Sequence, residues 1–377
     1  MRKLVTLQRV SSIEPIEGAD NIELAHINGW QCVIKKGEFK EGDFGFYFEI
    51  DSFVPTKKSQ FSFLEKNSKD WGGKHGAIIK TMRLRKVLSQ GLLLSIGLFP
   101  EIKDLKEEID YSEDLEVYKY EKEIDAPIED RSSTFHRLVI RFLPRSWRKS
   151  LFSVYSKFTR SSLRQGKGPR SNGGLPSFLL KSDEERIQNL FNKKDFEKNK
   201  ALPFHVSIKL DGSAAYYYVK EGVFGLASRG MKRGIEDGSH FSAIAKRYNL
   251  QELLPKLGRN LQILGELMGP GIQGNKEGFT DFEFFVYNIY DFDSRIKLGI
   301  REVEEILVQL KDLGCELKQV PYLETITLEQ FKTIDELSLF ADGPSLNAKV
   351  REGLVFKTLN CDFSFKVISN QFLLKEK

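Results

Sequence analysis

The strongest constraint on the fold is a period of two. In "GDFGFYFEIDSFVP", Phe44, Phe46, Phe48 and Ile50 fall on one side of an extended chain, and in "GLLLSIGLFP" Leu92, Leu94, Ile96 and Leu98 do the same. Helices repeat every 3.6 residues, so alternating runs broken by Gly, Asp or Pro specify short strands. The first hundred residues therefore read as an all-β unit, and the spacing of their turns suggests a small barrel.

The pattern changes after residue 100. Between Glu101 and Asp130 the chain carries 13 acidic residues and four lysines, a net of −9, whereas Arg131 to Arg170 holds 11 Arg and Lys residues and no acid. A sign reversal of that size marks a boundary or an insertion. Its basic part, "RLVIRFLPRSWRKSLFSVYSKF", interleaves cations with Phe142, Trp147, Phe152, Tyr155 and Phe158. That composition suits RNA contact, a membrane surface or a solvated basic helix. The stretch "SSLRQGKGPRSNGGLPSF" reads as a linker. The chain thus divides into residues 1–110, a charged linker or insertion 111–175, and residues 176–377. Its overall net charge of +5 is too mild to demand nucleic acid by itself.

Cys32, Cys315 and Cys361 are far apart, odd in number and without a CxxC pair. Neither a zinc knuckle nor a disulfide framework fits, and an intracellular, reducing compartment, cytoplasm or nucleus, is expected. The start, MRKLVTLQRV, enters strand-like alternation without the apolar core of a secretory leader. No apolar run approaches the roughly 18 residues of a membrane span, so no membrane association is expected.

The C-terminal part mixes helices and strands. Ser182, followed three residues on by Glu185, makes a capping-box pattern ahead of Ile187, Leu190 and Phe191, which predicts a helix start. "REVEEILVQLKDLG" places Val303, Ile306, Leu307, Leu310 and Leu313 on one helical face and stops at Gly314. "HVSIKLDGSAAYYY" reads as a strand with Lys209 inside a largely apolar alternation and Asp211 and Gly212 behind it. Such a lysine is either a solvated residue running into an Asp-Gly turn or a nucleophile. A nucleophilic amine must be neutral to attack, and the charge of its product must be met by cations or a metal.

After Lys209 come, in order, "LASRG", "GELMGPGIQGN", "DFEFFVYNIYDF", "REGLVFKTL" and "FSFKVISNQFLLK". This ordered set resembles the covalent nucleotidyltransferase superfamily, and within it the ATP-dependent RNA ligases that carry an OB domain ahead of the catalytic domain. "GELMGPGIQGN" is similar to the third motif of the nick-sealing RNA ligases and "KSDEERIQNL" to their lead-in helix. "PIEGADNIELAHINGWQCVIKKGEFKEGD" resembles the opening of OB-type domains that bind transfer RNA and other RNA. The resemblance implies a multidomain protein, an all-β OB barrel followed by an α+β nucleotidyltransferase domain of the ATP-grasp-like ligase adenylation type. It further implies ATP as substrate, Mg²⁺ or Mn²⁺, and RNA ends as partner, in nicked duplexes. A 3′-hydroxyl and a 5′-phosphate would be joined through a lysine-linked AMP and an adenylylated 5′ end.

The same resemblance assigns roles residue by residue. Lys209 is the nucleophile that carries AMP, and Asp211 lies near the lysine or the metal. Arg229, in "SRG", holds the ribose or the acceptor phosphate; Glu266 accepts from a ribose hydroxyl; Phe284 stacks on adenine, with Phe285 on the opposite strand face. Glu352, which alternation places beside Leu354 and Phe356, binds metal, since a lone carboxylate on an apolar face is otherwise costly. Lys366 neutralises the α-phosphate. Arg186 and Gln188 contact the nucleotide or the RNA end. Related enzymes often carry a further lysine where this chain has Ile368, and Lys357 or Lys375 is the candidate substitute. A ligase or capping-type nucleotidyltransferase for DNA nicks or other RNA ends, and a non-catalytic RNA-binding OB protein, remain alternatives at this level.

Overall fold

The computed structural model describes residues 3–107, 109–120, 174–181, 183–191 and 193–375. The basic 131–170 segment lies outside the described residues. The first unit contains β1 (Val5–Pro15), β2 (Ile22–Ile27), β3 (Trp30–Lys35), β4 (Phe44–Phe48), β5 (Ser52–Val54) and β6 (Lys69–Trp71). It continues with β7 (Lys74–Ile78), β8 (Thr81–Leu84), β9 (Val87–Gln90), β10 (Leu92–Ser95) and β11 (Tyr118–Lys119). Strands β10, β4, β1, β2 and β3 pair in that order, β11, β5, β7 and β6 form a second sheet, and β8 pairs with β9 as a hairpin.

Strand β4 is buried on both sides, which explains its nearly continuous aromatic sequence. Phe46 and Phe48 pack with Val5, Leu7, Leu94 and Phe99, whereas Tyr47 faces the other way, onto Trp30 and Leu93. Leu98 departs from the expected alternation: β10 stops at Ser95, a 3-10 turn follows, and Leu98 is exposed. The core of this unit runs on through Tyr111, Leu115 and Val117.

The second unit contains β12 (Glu185–Arg186), β13 (Phe204–Lys209), β14 (Ser213–Lys220), β15 (Val223–Ser228), β16 (Lys232–Arg233) and β17 (Leu261–Met268). Then come β18 (Glu283–Asp291), β19 (Ile296–Lys297), β20 (Lys318–Gln319), β21 (Tyr322–Ile326), β22 (Gly353–Thr358) and β23 (Ser364–Ile368). One sheet has the order β12, β23, β22, β13, β21; the other runs β16, β15, β14, β17, β18, β19, with β20 beside β18.

Each sheet buries its outer face under helices. Phe204, Val206, Leu354, Phe356 and Phe365 pack with Leu337 of the helix Ile334–Phe340. On the other sheet Tyr217, Ile263, Phe284 and Val286 pack with Ile244 and with Val303, Ile306 and Leu310 of the helix Ile300–Asp312. Leu313 does not join them, because it caps that helix and is exposed, and Gly314 closes it at φ +93°. Because side chains alternate across a strand, Lys209, Lys357 and Lys366 point from the first sheet, and Glu266 from the second, into the space between.

The helix expected from Ser182 onward is absent. Ser182 itself lies outside the described residues, and Glu185–Arg186 is a strand paired in parallel with β23, Glu185 opposite Phe365 and Arg186 opposite Lys366. A 3-10 turn, Ile187–Asn189, follows. The apolar spacing of Ile187, Leu190 and Phe191 serves the first sheet's outer core. Pairing with an available sheet edge outweighs the local preference. The turn also joins the two units: Trp30 Nε1 donates to Asn189 Oδ1 at 2.9 Å, and Arg186 lies over the Trp30 ring at 5.8 Å. Among the described residues no helix is long and apolar enough to cross a membrane.

Candidate active site

Lys209 is the last residue of β13, and its side chain enters a group of carboxylates. Nζ donates to Glu352 Oε2 at 2.6 Å. Glu266 and Asp211 act on the same amine. Burial alone pushes the Lys209 amine down, but the charges of Glu352 and Glu266, the Glu352 hydrogen bond and Asp211 outweigh it and leave the amine above its ordinary value. Glu266 shows the reverse side of this crowding. Burial pushes its carboxyl up to about 8, against the pull of Lys209, while Glu352 and Asp211 push it further.

The glycine behind the lysine has a defined job. A Cβ at Gly212 would stand 2.5 Å from the Leu267 carbonyl, so only glycine lets this turn lie against β17. The Gly212 N–H then donates to Glu266 Oε1 at 3.0 Å. The Asp-Gly pair thus sets Glu266 in place, and Asp211 Oδ2 meets Lys276 Nζ at 2.7 Å. Gly353, opposite Lys209 in the ladder, is needed in the same way, because a Cβ there would stand 2.1 Å from the Val367 carbonyl.

Glu352 departs from the expected strand face. Strand β22 begins only at Gly353, so Glu352 is freed from alternation with the buried Leu354 and Phe356 and turns to Lys209.

A second cluster has the opposite polarity. Asp183 Oδ1 accepts from Lys366 Nζ at 2.8 Å, and Asp183 Oδ2 from Arg229 Nη2 at 2.7 Å and Lys119 Nζ at 2.6 Å. Burial alone would raise the Asp183 carboxyl, but Lys366, Arg229 and Lys119 hold it far below its usual range. Burial brings the Lys366 amine down to about 8, against Asp183 and with help from Arg186 and Lys209. Sequence reasoning found Lys366 and Arg229 but missed Asp183 and Lys119. The latter comes from β11 of the first unit.

The other candidates are placed as follows. Ile368 is buried opposite Gly353. Lys375 is exposed in the last turn of the helix Asn370–Lys375. Lys357 Nζ crosses to the second sheet, donating to the Tyr287 carbonyl and to Asn288 Oδ1 at 2.8 Å. Arg186 is buried beside Lys366, while Gln188 is buried at the junction with the first unit, its backbone against Gly29.

Phe284 is fully buried in the second sheet's outer core, edge-on to Tyr217 at 5.0 Å, and is closed off from Lys209. The ring on the Glu266 side of β18 is Phe285, directly opposite Glu266 in the ladder. The β17–β18 register then shifts, with Leu264 opposite Asn288 and Gly265 opposite Val286, leaving Tyr287 as the extra residue. A bulge re-aims side chains. Here it brings Tyr287 within electrostatic reach of Glu266, Glu184 and Arg229.

An all-β unit followed by two facing sheets, with a buried lysine, carboxylates and a cation cluster between them, is an arrangement that fits a nucleotidyltransferase. Residues 4–96 match an OB-fold domain model and residues 202–368 the RNA ligase family model. The chain is similar to a Naegleria gruberi RNA ligase variant solved with AMP and Mn, at 37% identity and TM-score 0.82, covering 100% of this chain and 99% of that one. A variant of the same ligase with ATP and Mn gives 36% identity, TM-score 0.81 and coverage of 100% and 99%. The Naegleria ligase with PPi gives 37%, 0.82, and again 100% and 99%. Comparison with curated protein sequences finds no match. The chain belongs to the RNA ligase family.

Proposed function

We propose that this RNA ligase uses ATP and a divalent metal to seal nicks in duplex RNA, joining a 3′-hydroxyl to a 5′-phosphate. The observation that carries the reading is the Lys209 amine 2.6 Å from Glu352, in a chain similar end to end to a ligase solved with ATP and Mn. In the first step the Lys209 amine attacks the α-phosphorus of ATP; an N–P bond forms, and the bond to pyrophosphate breaks. In the second, an oxygen of the RNA 5′-phosphate displaces the lysine and takes AMP. In the third, the 3′-hydroxyl attacks that 5′-phosphate, and AMP leaves with the bonding electrons. Splitting the reaction in this way activates the phosphate before the strands are joined.

The raised pKa of Lys209 means that its ion pair with Glu352 must open before the amine sheds its proton and attacks. The carboxylates of Glu352 and Asp211 are hard oxygen donors that fit Mg²⁺ or Mn²⁺. Among the described residues no group of three or more His, Cys, Asp or Glu is arranged to hold a metal. One or two carboxylates plus phosphate oxygens is the ordinary setting for Mg²⁺. Glu352 and Asp211 would hold such a cation, which when bound would supply positive charge to offset that of the phosphates. Lys366 and Arg229 gather the phosphates, and Lys119 adds a cation from the first unit. Three buried free cysteines support a reducing, intracellular setting.

The test is sealing of singly nicked duplexes that differ only in a ribose or deoxyribose at the 3′-hydroxyl side. A strong ribose preference at nicks, over unpaired ends, is expected. Equal sealing of both sugars would overturn the RNA assignment, and equal sealing of unpaired ends the nick assignment.

A further inference from the structure

The β8–β9 hairpin carries Lys80, Arg83, Arg85 and Lys86, and residues 79–90 contain no Asp or Glu. All four side chains are exposed, and none makes an ion pair with another described residue. Cations elsewhere on the first unit do pair, Lys58 with Glu116 at 2.9 Å for example.

The turn itself is unusual. Leu84 pairs with Val87, so Arg85 and Lys86 are its two central residues, at φ 48° and 70°. A two-residue turn with both φ positive is the type that Asn-Gly fills at least cost. Arg and Lys strain the backbone there, and strain of this kind persists where the side chains serve a function.

The hairpin also stands close to the catalytic lysine. Strand β8 packs against the helix Asn370–Lys375, which directly follows the strand of Lys366, and Gln90 Nε2 donates to Asn370 Oδ1 at 3.5 Å. Lys276 lies 3.9 Å from the Phe372 ring of that helix and 2.7 Å from Asp211. One helix thus separates the cationic hairpin from the group around Lys209.

We propose that the β8–β9 hairpin grips the phosphate backbone of the RNA beside the ends to be joined. Phosphate is what four cations without an ion-pair partner among the described residues, on a short, exposed ribbon, complement, and arginine's planar fork suits it. Met82 is the only large apolar side chain exposed on these two strands, too little for the buried centre of a protein interface. The proposal rests on the RNA-end reading above and adds the surface that holds the strand.

The experiment is fluorescence anisotropy with a nicked RNA duplex over a salt series, using the full chain and two variants. Arg85→Asn/Lys86→Gly removes two charges and relieves the strained turn, so its melting temperature holds or rises and a loss of binding is not unfolding. Its affinity should fall about 10-fold near 0.1 M salt, and the slope of log K against log salt should shrink by about 0.9 per lost contact, roughly 1.8 in all. Arg83→Ala, on the strand, should lose about one contact's worth. Wild-type affinity and slope in both variants would overturn the proposal. If the unaltered chain fails to bind nicked RNA at all, the RNA-end reading fails first and the proposal with it.

Discussion

Between the two sheets lie two charge clusters built on opposite plans. Around Lys209 one amine faces the carboxylates of Glu352, Glu266 and Asp211; around Asp183 one carboxylate faces Lys366, Arg229 and Lys119. The first has negative charge in excess, which suits a cation; burial drives the Glu266 carboxyl up to about 8, and the charges of Glu352 and Asp211 add to the shift. The second has positive charge in excess, which suits phosphate; burial brings the Lys366 amine down to about 8, with Arg186 and Lys209 adding to the shift. A reaction that brings a metal-bound triphosphate to a lysine needs both surfaces side by side, and neither plan alone would serve.

Removing charge from each cluster separates their roles. Glu352→Gln keeps the shape of the first cluster but loses its charge, and lysine adenylation with ATP should fall about 10²- to 10³-fold, read by label transfer. Lys366→Met in the second should cost about 10²-fold in the same assay. If the two substitutions instead had no effect on adenylation, the division of labour would be wrong.

Asp183→Asn tests the second cluster through stability. Leaving three cations without their common anion should cost about 2 kcal/mol near neutral pH, measured by denaturant unfolding. The sign with pH follows from the depressed carboxyl. Its stabilisation is complete above the ordinary aspartate value of 3.8 and is lost as pH falls below it toward the lowered folded value. The gap between wild type and variant should therefore begin to narrow at about pH 4 and keep narrowing as the pH falls further. A gap that widened in acid would contradict the cation-held carboxylate.

The smallest effect concerns what ties the clusters to the first unit. Trp30→Phe removes the Nε1 hydrogen bond to Asn189, next to the strand of Arg186, together with part of the buried ring that meets Tyr47 and Arg186, and should cost about 1 to 2 kcal/mol. No change in unfolding free energy would mean that this bond contributes nothing to the junction.

Much of this was legible in the sequence because it is local. Alternation places Phe46 and Phe48 inward, and the order of short motifs after Lys209 brings Glu266, Glu352 and Lys366 toward one lysine. What stayed hidden depends on long-range contact. Asp183 meets Arg229, Lys119 and Lys366 across 46, 64 and 183 residues, with no local pattern to announce it. Tyr287 is aimed by a bulge in β18, and a count of alternate residues does not register bulges. The helix at Glu185 was lost to pairing with β23, and Glu352 escaped its assigned face because β22 starts one residue later.

The central claim is that the Lys209 amine is where AMP is attached. Incubation of the full chain with ATP labelled at the α-phosphate and a divalent metal, followed by peptide mapping, tests it directly. The account predicts a single acid-labile AMP adduct on the peptide containing Lys209, and none in Lys209→Ala. A label on another peptide, or an undiminished label in that variant, would contradict it.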